Sequence, residues 1–266
     1  MSQEEIGPDL DARKYTPAQF EEMKSHFPEA ETVTLARFLI ARNGDVSKSK
    51  PMYEAHLQWK NENWPQLKSS CMNELKQGKG YVKGKDKQGH PLIIFHTHLH
   101  DPLNRDCDEL VRMAVWNFET AIKQMENKTC KVTVLINRCS AGSGSDIEFA
   151  RQLTTLLSNN YPERLYRTVV YPSSIVFYGI WQVVQMFMDP VTREKVKPVM
   201  YLSGVQEFIE DEHIPKCMGG ACDYAFDEKD YPDPYPEEVI AAKLAKDAGA
   251  DADAEASSST DAPAPA

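Results

Sequence analysis

The stretch Ser174-Ile-Val-Phe-Tyr-Gly-Ile-Trp-Gln-Val-Val-Gln-Met-Phe-Met188 closes a run, from Thr168 onward, that contains no charged residue. Written as a helix, it has one polar stripe, made of Ser174, Tyr178, Gln182 and Gln185, and that stripe is uncharged. A helix so apolar on its other faces is buried in a core or in contact with lipid. Pro172 interrupts the run and two glutamines lie in its second half, which argues against a membrane span. The stretch is therefore expected to be a core helix or a hydrophobic wall.

The composition of the 266-residue chain narrows the class of protein. A formal net charge of −10 argues against a nucleic-acid-binding protein, which would need a positively charged surface. The first residues contain neither the basic nor the apolar region of a signal peptide, and the six cysteines include no C-x-x-C pair. We therefore expect a cytoplasmic protein with free thiols and no bound cofactor.

Residues 15–75 are predicted to form a small helical lobe that follows a loose N-terminus at residues 1–14. Thr16-Pro17-Ala18-Gln19 has the capping box and the first-turn proline of a helix start. A second helix is expected to end at Asn43-Gly44, where Gly favours a left-handed terminus, and Asp45 is expected to cap a third. The first lobe is thus predicted to be all helical.

From residue 76 to residue 228 the hydrophobic pattern changes, and predicted strands alternate with predicted helices. The expected strands are Gly80–Lys83, Pro91–His98, Lys131–Ile136, Leu165–Tyr171 and Lys197–Leu202. Helices are expected at Asp108–Glu126 and at Asp146–Asn159. This alternation predicts an α/β fold with a mostly parallel sheet. Residues 229–266, which are acidic and rich in Pro and Ala, are predicted to be a largely disordered tail.

Four segments, taken in order, point to a known family. They are Leu35–Val46, Asn160-Tyr-Pro-Glu-Arg-Leu165, Phe187-Met-Asp-Pro-Val-Thr-Arg-Glu-Lys195 and Ile214-Pro-Lys-Cys-Met-Gly-Gly220. Each resembles a characteristic segment of the CRAL-TRIO lipid-binding family, and they occur in the family's order between roughly Thr34 and Phe226. That family includes the phosphatidylinositol transfer proteins, cellular retinaldehyde-binding protein and the tocopherol transfer protein.

The resemblance implies a cavity floored by the sheet, which holds one lipid and is closed by a mobile helix, without any chemical reaction. Ser174–Met188 would be the gate helix, because lipid chains leaving a membrane cost about 0.8 kcal/mol per CH₂ unless a dry apolar wall receives them. The hinge would include Gly219 and Gly220. The side chains expected to face the acyl chains are Phe177, Ile180, Trp181, Val184 and Phe187.

Phosphatidylinositol binders of the family use a cluster of polar side chains for the inositol phosphate. Carried over by position, the cluster here consists of Arg42, Glu163, Thr192 and Lys195. Lys195 would neutralise the phosphate, Thr192 would donate a hydrogen bond to it, and Glu163 would accept hydrogen bonds from inositol hydroxyls.

The chain departs from the family pattern at three places. Asn43 follows Arg42 where the family usually has a basic residue. Val132 and Val134 stand where members that also bind phosphatidylcholine have small hydroxyl residues. Asn137-Arg-Cys-Ser140 replaces the usual Asp-Leu-x-Gly stretch. We therefore expect phosphatidylcholine to be a poor ligand.

The function that these observations predict is the binding and exchange of phosphatidylinositol, or its presentation to a lipid kinase, by a monomer that contacts membrane surfaces transiently. One alternative is a different hydrophobic ligand, such as a tocopherol, a retinoid, squalene or a fatty acid. A second alternative, of another class, is a metal or haem site. Alternation along a strand would point His96, His98 and His100 to one face.

Overall fold

Three helices form the N-terminal lobe: α1 Pro17–His26, α2 Thr32–Ala41 and α3 Val46–Asn63. The computed structural model describes residues 7–126, 129–140 and 146–258, without the side chains of Val176 and of residues 250–258. Thr16 and Gln19 form the predicted capping box of α1, and the Asp45 carboxylate accepts from the Lys48 amide at the start of α3. The three helices share a core that is centred on α2.

The segment before α1 differs from the prediction of a loose N-terminus. Within its described part, Leu10 is buried and the Asp9 carboxylate accepts a hydrogen bond from the Cys130 amide at 2.7 Å. Burial of an apolar side chain and one long-range hydrogen bond together fix this short segment against the second lobe. The first six residues lie outside the described part of the chain.

A five-stranded sheet of order β1-β2-β3-β4-β5 forms the second lobe. Its strands are β1 Gly80–Lys85, β2 Pro91–His96, β3 Val132–Asn137, β4 Leu165–Tyr171 and β5 Val196–Pro198. The first pair is antiparallel and the other three pairs are parallel, as the predicted α/β fold requires. The helices of the lobe are α4 Met72–Leu75, α5 Cys107–Lys123, α6 Ile147–Asn160, α7 Ile175–Val184, α8 Pro190–Lys195 and α9 Leu202–Gln206.

Two strands, β2 and β5, differ most from the predictions. β2 ends at His96 rather than His98, since the chain turns into a 3-10 helix over Thr97–Leu99 and the Thr97 hydroxyl donates to the Asn137 carbonyl. β5 covers only Val196–Pro198 instead of Lys197–Leu202. The Val199 amide just past it still donates to the Val170 carbonyl, and the chain then leaves the sheet and enters α9 at Leu202.

The two faces of the sheet have different roles. Leu92, Ile94, Leu135 and Val169 pack on one face against residues of α9 and the following loop, including Val205 and Ile214. Their neighbours in sequence point to the other face, because side chains alternate along a strand. That second face, with α5, α6 and α7, encloses a cavity.

The segment after residue 228 is ordered further than the predicted disordered tail. Tyr231 and Tyr235 are buried, and Asp233 accepts hydrogen bonds from the Lys68 amide and from the Trp116 indole. A helix α10 follows at Glu237–Ser258, and the last residues, 259–266, lie outside the described part. The composition of residues 229–266 suggested disorder because the two buried tyrosines are outnumbered by the polar residues around them.

Candidate functional site

A cavity of about 730 Å³ lies between the sheet and the helices α5, α6 and α7. Its size is within the range of protein sites for organic ligands, roughly 300–1,000 Å³. The strands contribute apolar side chains that alternate with those of the opposite face, including Ile93, Phe95, Val134, Ile136 and Val170. The body of the cavity is therefore suited to hydrocarbon.

The predicted gate helix forms one wall of this cavity. The Ser174 hydroxyl caps α7 by accepting from the Phe177 amide, and α7 continues as a 3-10 turn over Gln185–Phe187. All five side chains predicted to face acyl chains line the cavity: Phe177, Ile180, Trp181, Val184 and Phe187. The outer side of the wall is also apolar, since Ile175 is 89% exposed and Met186 is 76% exposed.

At one end of the cavity the polar side chains predicted from the family pattern come together. Arg42, Glu163, Thr192 and Lys195 all line it, and they come from three separate segments: the end of α2, the turn before β4, and α8. The Glu163 carboxylate lies 3.8 Å from the Nζ atom of Lys195 and 3.8 Å from that of Lys131. Burial lowers the pKa of Lys195, and the nearby Glu163 opposes that effect.

Residues from both lobes hold Glu163 in place. Its φ is +57°, a conformation that costs energy for a residue other than glycine and so needs support from its surroundings. Before it, the Pro162 carbonyl accepts from the buried Arg37 guanidinium of α2, and the Tyr161 hydroxyl donates to Glu119 at 2.6 Å. After it, the Arg164 guanidinium donates to the Cys130 carbonyl at 2.9 Å.

The hydrogen bonds of Thr192 differ from the prediction that its hydroxyl donates to a ligand phosphate. Its hydroxyl donates to the Asp189 carboxylate at 2.6 Å, and the same carboxylate accepts from the Thr192 amide at the start of α8. Because a hydroxyl has one hydrogen, Thr192 in this arrangement can accept a hydrogen bond from a ligand hydroxyl rather than donate to a phosphate.

Two lysines near Glu163, at the polar end of the cavity, were not predicted from the sequence. Lys131 precedes β3 and Glu163 precedes β4, and the parallel pairing of these strands brings the two residues together. Lys14 lines the cavity from the segment before α1 and lowers the pKa of Lys195 further, after burial and Lys131. The signal for Lys131 was available in principle, because neighbouring parallel strands begin at the same sheet edge.

Gly219 and Gly220 do not flank the gate helix, so their prediction as a hinge is not supported by their position. They lie in the loop at Ile214–Cys222, on the sheet face opposite the cavity, where Gly219 contacts Leu202. A Cβ atom at Gly220 would lie 2.2 Å from the Ile214 carbonyl oxygen, and Gly219 has a φ of +94°. These glycines permit a tightly packed turn, which is the opposite of a flexible joint.

The three histidines do not form a metal-binding face. His96 is buried at the end of β2, where its ring nitrogens contact the Tyr81 hydroxyl and the Asn137 amide, and burial lowers its pKa to about 4. His98 lies on the 3-10 turn and is exposed, while His100 contacts the Asp146 carboxylate. Within the described ranges, no group of three or more potential ligands is arranged to hold a metal ion.

Of the two valines that depart from the family pattern, one faces the cavity. Val134 lines it, whereas Val132 is fully buried in the core formed with α5. Thr133 between them points to the opposite face, where its hydroxyl donates to Asp86. A hydroxyl at position 134 would therefore reach a ligand, but one at position 132 would not.

Comparisons with known proteins agree with this geometry. The sequence model of the CRAL/TRIO domain matches residues 75–220. Phosphatidylinositol transfer protein CSR1 of Eremothecium gossypii is 26% identical over 80% of this chain and 52% of its own length. Phosphatidylinositol/phosphatidylcholine transfer protein SFH12 of Arabidopsis thaliana is 27% identical over 71% of this chain and 39% of its own. Both names describe lipid transfer, in agreement with a non-enzymatic protein.

The fold is similar to that of a solved structure. The crystal structure of Sfh5 matches with a TM-score of 0.65 at 16% identity, covering 88% of this chain and 83% of that one. The chain spans about half the length of the first curated relatives that it matches. Among the described helices, none is both long and apolar enough to cross a bilayer.

Proposed function

Because this chain belongs to the CRAL/TRIO family, whose domain covers residues 75–220, we propose that it binds one phosphatidylinositol molecule and exchanges it between membranes. The observation that carries the proposal is the division of the cavity into two parts. An apolar body is lined by strands and by α7, and a cationic end contains Lys14, Arg42 and Lys195 together with Glu163 and Asp189. This local excess of positive charge occurs in a chain whose formal net charge is −10.

The chemistry of the cationic end suits an inositol phosphate. A phosphate between Lys195 and Arg42 would accept charge-assisted hydrogen bonds, which are the strong ones. The phosphate would also favour the charged form of Lys195, because its negative charge would oppose the effect of burial, which lowers the pKa of this lysine. Glu163 and Thr192 would accept hydrogen bonds from inositol hydroxyls.

The wall formed by α7 supplies both faces that a lipid gate requires. Phe177, Trp181 and Val184 would contact the acyl chains, whereas Ile175 and Met186 would enter a bilayer when the protein is at a membrane. Each large apolar side chain gains about 1.5–3 kcal/mol when fully buried. In this proposal α7 moves outward at the membrane and closes over the lipid in water, and a lipid kinase could receive the presented headgroup.

Two measurements test the proposal. Mass spectrometry of lipids that co-purify with the folded protein should identify phosphatidylinositol as the main species. A vesicle assay should then show transfer of labelled phosphatidylinositol that rises in proportion to protein concentration. A protein that carries a retinoid, a tocopherol or squalene and transfers no phosphatidylinositol would contradict the proposal.

A further inference from the structure

Arg138 is a cation in the cavity that lies away from the headgroup cluster. It follows the last residue of β3 and lines the cavity. In the described part of the chain its buried Nε atom has no hydrogen-bond partner, and burial is the only effect that shifts its pKa, with no carboxylate acting on it. Buried polar groups are normally hydrogen-bonded, so an unsatisfied Nε atom inside a ligand cavity calls for an explanation.

Arg138 lies against the aromatic ring of Phe177. Its guanidinium carbon lies 5.3 Å from the ring centroid of Phe177, at the first turn of the gate helix. Phe177 itself packs with Val170, Val196 and Ile136. The ring face attracts a cation but does not replace a hydrogen-bond acceptor for the guanidinium N–H groups. Burial lowers the pKa of Arg138, with no compensating carboxylate, yet arginine stays charged in proteins.

Arg138 cannot serve the same ligand group as the headgroup cluster. Lys131, which contacts Glu163, immediately precedes β3, and Arg138 immediately follows it. A strand rises about 3.3 Å per residue, so Lys131 and Arg138 are separated by about 23 Å along the cavity floor. Lys131 and Arg138 therefore lie at opposite ends of β3.

We propose that Arg138 anchors a second polar subsite in the cavity, which takes an oxyanion attached to a hydrocarbon chain. The planar guanidinium offers paired N–H donors, whose geometry matches the two oxygens of a carboxylate or a phosphate. The apolar surroundings, Phe177 and Ile136 among them, favour an anion that carries a hydrocarbon chain over a free inorganic ion. The inference rests on the proposed function, since it takes the cavity to hold a lipid.

Three ligands with the same hydrocarbon chain distinguish a carboxylate, a phosphate and a neutral hydroxyl group: dodecanoate, dodecyl phosphate and dodecanol. Each is titrated by calorimetry into the delipidated full-length protein and into the variants Arg138→Leu and Arg138→Gln. The matched control is Arg151→Leu, which removes the same charge from an exposed position on α6. The ratio of carboxylate to phosphate affinity in the parent distinguishes a fatty acid from a phosphate-bearing lipid.

The parent and Arg151→Leu should bind at least one of the two anions about tenfold or more tightly than dodecanol. In both Arg138 variants this preference should fall about ten- to hundredfold, the loss expected for a charge-assisted hydrogen bond. The glutamine variant keeps hydrogen-bonding capacity and provides the test if the leucine variant folds poorly.

Three results would overturn the inference. If the parent binds all three ligands equally, or if the preference survives in Arg138→Leu, Arg138 only supports the gate helix through Phe177. In that case binding of dodecanol and transfer of phosphatidylinositol would leave the proposed function intact. Binding of none of the three ligands, together with no phosphatidylinositol transfer, would overturn the subsite and the proposed function together.

Discussion

The Oε2 atom of Glu163 lies 3.8 Å from the Nζ atom of Lys195, within reach of its charge but beyond hydrogen-bond distance. Lys131 approaches the same oxygen atom at the same distance. One carboxylate is thus shared by two lysines without a close contact to either. A loosely paired lysine can turn to a ligand phosphate without losing a strong internal hydrogen bond.

The first prediction concerns this pairing. Lys195→Ala and Glu163→Gln should each reduce phosphatidylinositol transfer about ten- to hundredfold, because a hydrogen bond to a charged group contributes about 1.5–3 kcal/mol. The thermal midpoint should change little. Vesicle-to-vesicle transfer of labelled lipid measures the effect, and Lys197→Ala, at an exposed position next to α8, is the control. Parent-like transfer by both variants would show that the headgroup binds elsewhere.

The second prediction concerns the gate. Phe177→Ala combined with Trp181→Ala should slow lipid exchange and weaken vesicle association while the protein stays folded. The two rings stack in the cavity wall with centroids 6.4 Å apart, and each contributes about 1.5–3 kcal/mol when fully buried. Leu57→Ala, on α3 away from the cavity, is the matched control.

Hydrogen exchange provides an independent measurement of the same gate. Amides of α7 should exchange faster when vesicles are present and lipid is leaving than in the closed soluble protein. Slow exchange that membranes leave unaffected would identify α7 as ordinary core.

The third prediction concerns selectivity between phospholipids. The parent should exchange phosphatidylcholine poorly, because a buried polar group without a partner costs about 1–3 kcal/mol. Val134→Thr should increase phosphatidylcholine transfer, since position 134 lines the cavity, whereas Val132→Thr should only destabilise the core. Competition between the two lipids in mixed vesicles measures the change. Equal gains from both substitutions, or equal transfer of both lipids by the parent, would rule out this explanation.

The fourth prediction concerns pH and the buried His90. Its Nδ1 atom lies 3.0 Å from the Asp86 carboxylate, its Nε2 atom lies 3.6 Å from that of Asp9, and its ring stacks on Tyr166. Burial alone would lower the pKa of His90, but the two carboxylates outweigh it and raise the pKa above 6.5. The stabilisation is therefore complete below pH 6.5 and is lost as the pH rises through the raised pKa.

His90→Gln should accordingly lower the thermal midpoint most at pH 6, on the order of 5 °C. The difference from the parent should shrink toward pH 9. Thermal melts at the two pH values measure it, with the exposed His98→Gln as the control. A difference that stays constant with pH would mean that His90 is neutral in the folded protein.

Local signals in the sequence predicted much of the fold. The capping residues Thr16 and Asp45 determine where α1 and α3 begin, and both act through hydrogen bonds within a few residues. The apolar run of α7 identified a cavity wall because its hydrophobic pattern does not depend on distant contacts. Family membership and fold class were confirmed by the comparisons.

What escaped prediction depends on contacts between distant segments. Lys131 joins Glu163 through the parallel pairing of β3 with β4. Lys14 lines the cavity from the segment before α1, in which Leu10 is buried and Asp9 accepts from the Cys130 amide. The turn at Thr97, which separates His96 from His98, is supported by a hydrogen bond to Asn137 on the neighbouring strand. The hydrophobic pattern of a single segment carries no information about contacts of this kind with distant segments.

Asp233 lies beyond the family match and still belongs to the hydrogen-bonded core of the fold. The family match ends at residue 220, yet one oxygen of Asp233 accepts both the Trp116 indole hydrogen and the Lys68 amide hydrogen. Trp116 is fully buried, so a fragment cut at residue 220 would leave its N–H without an acceptor and uncover the ring that Tyr231 contacts. Excision of the domain must therefore retain the chain through Tyr235, fifteen residues past the family boundary.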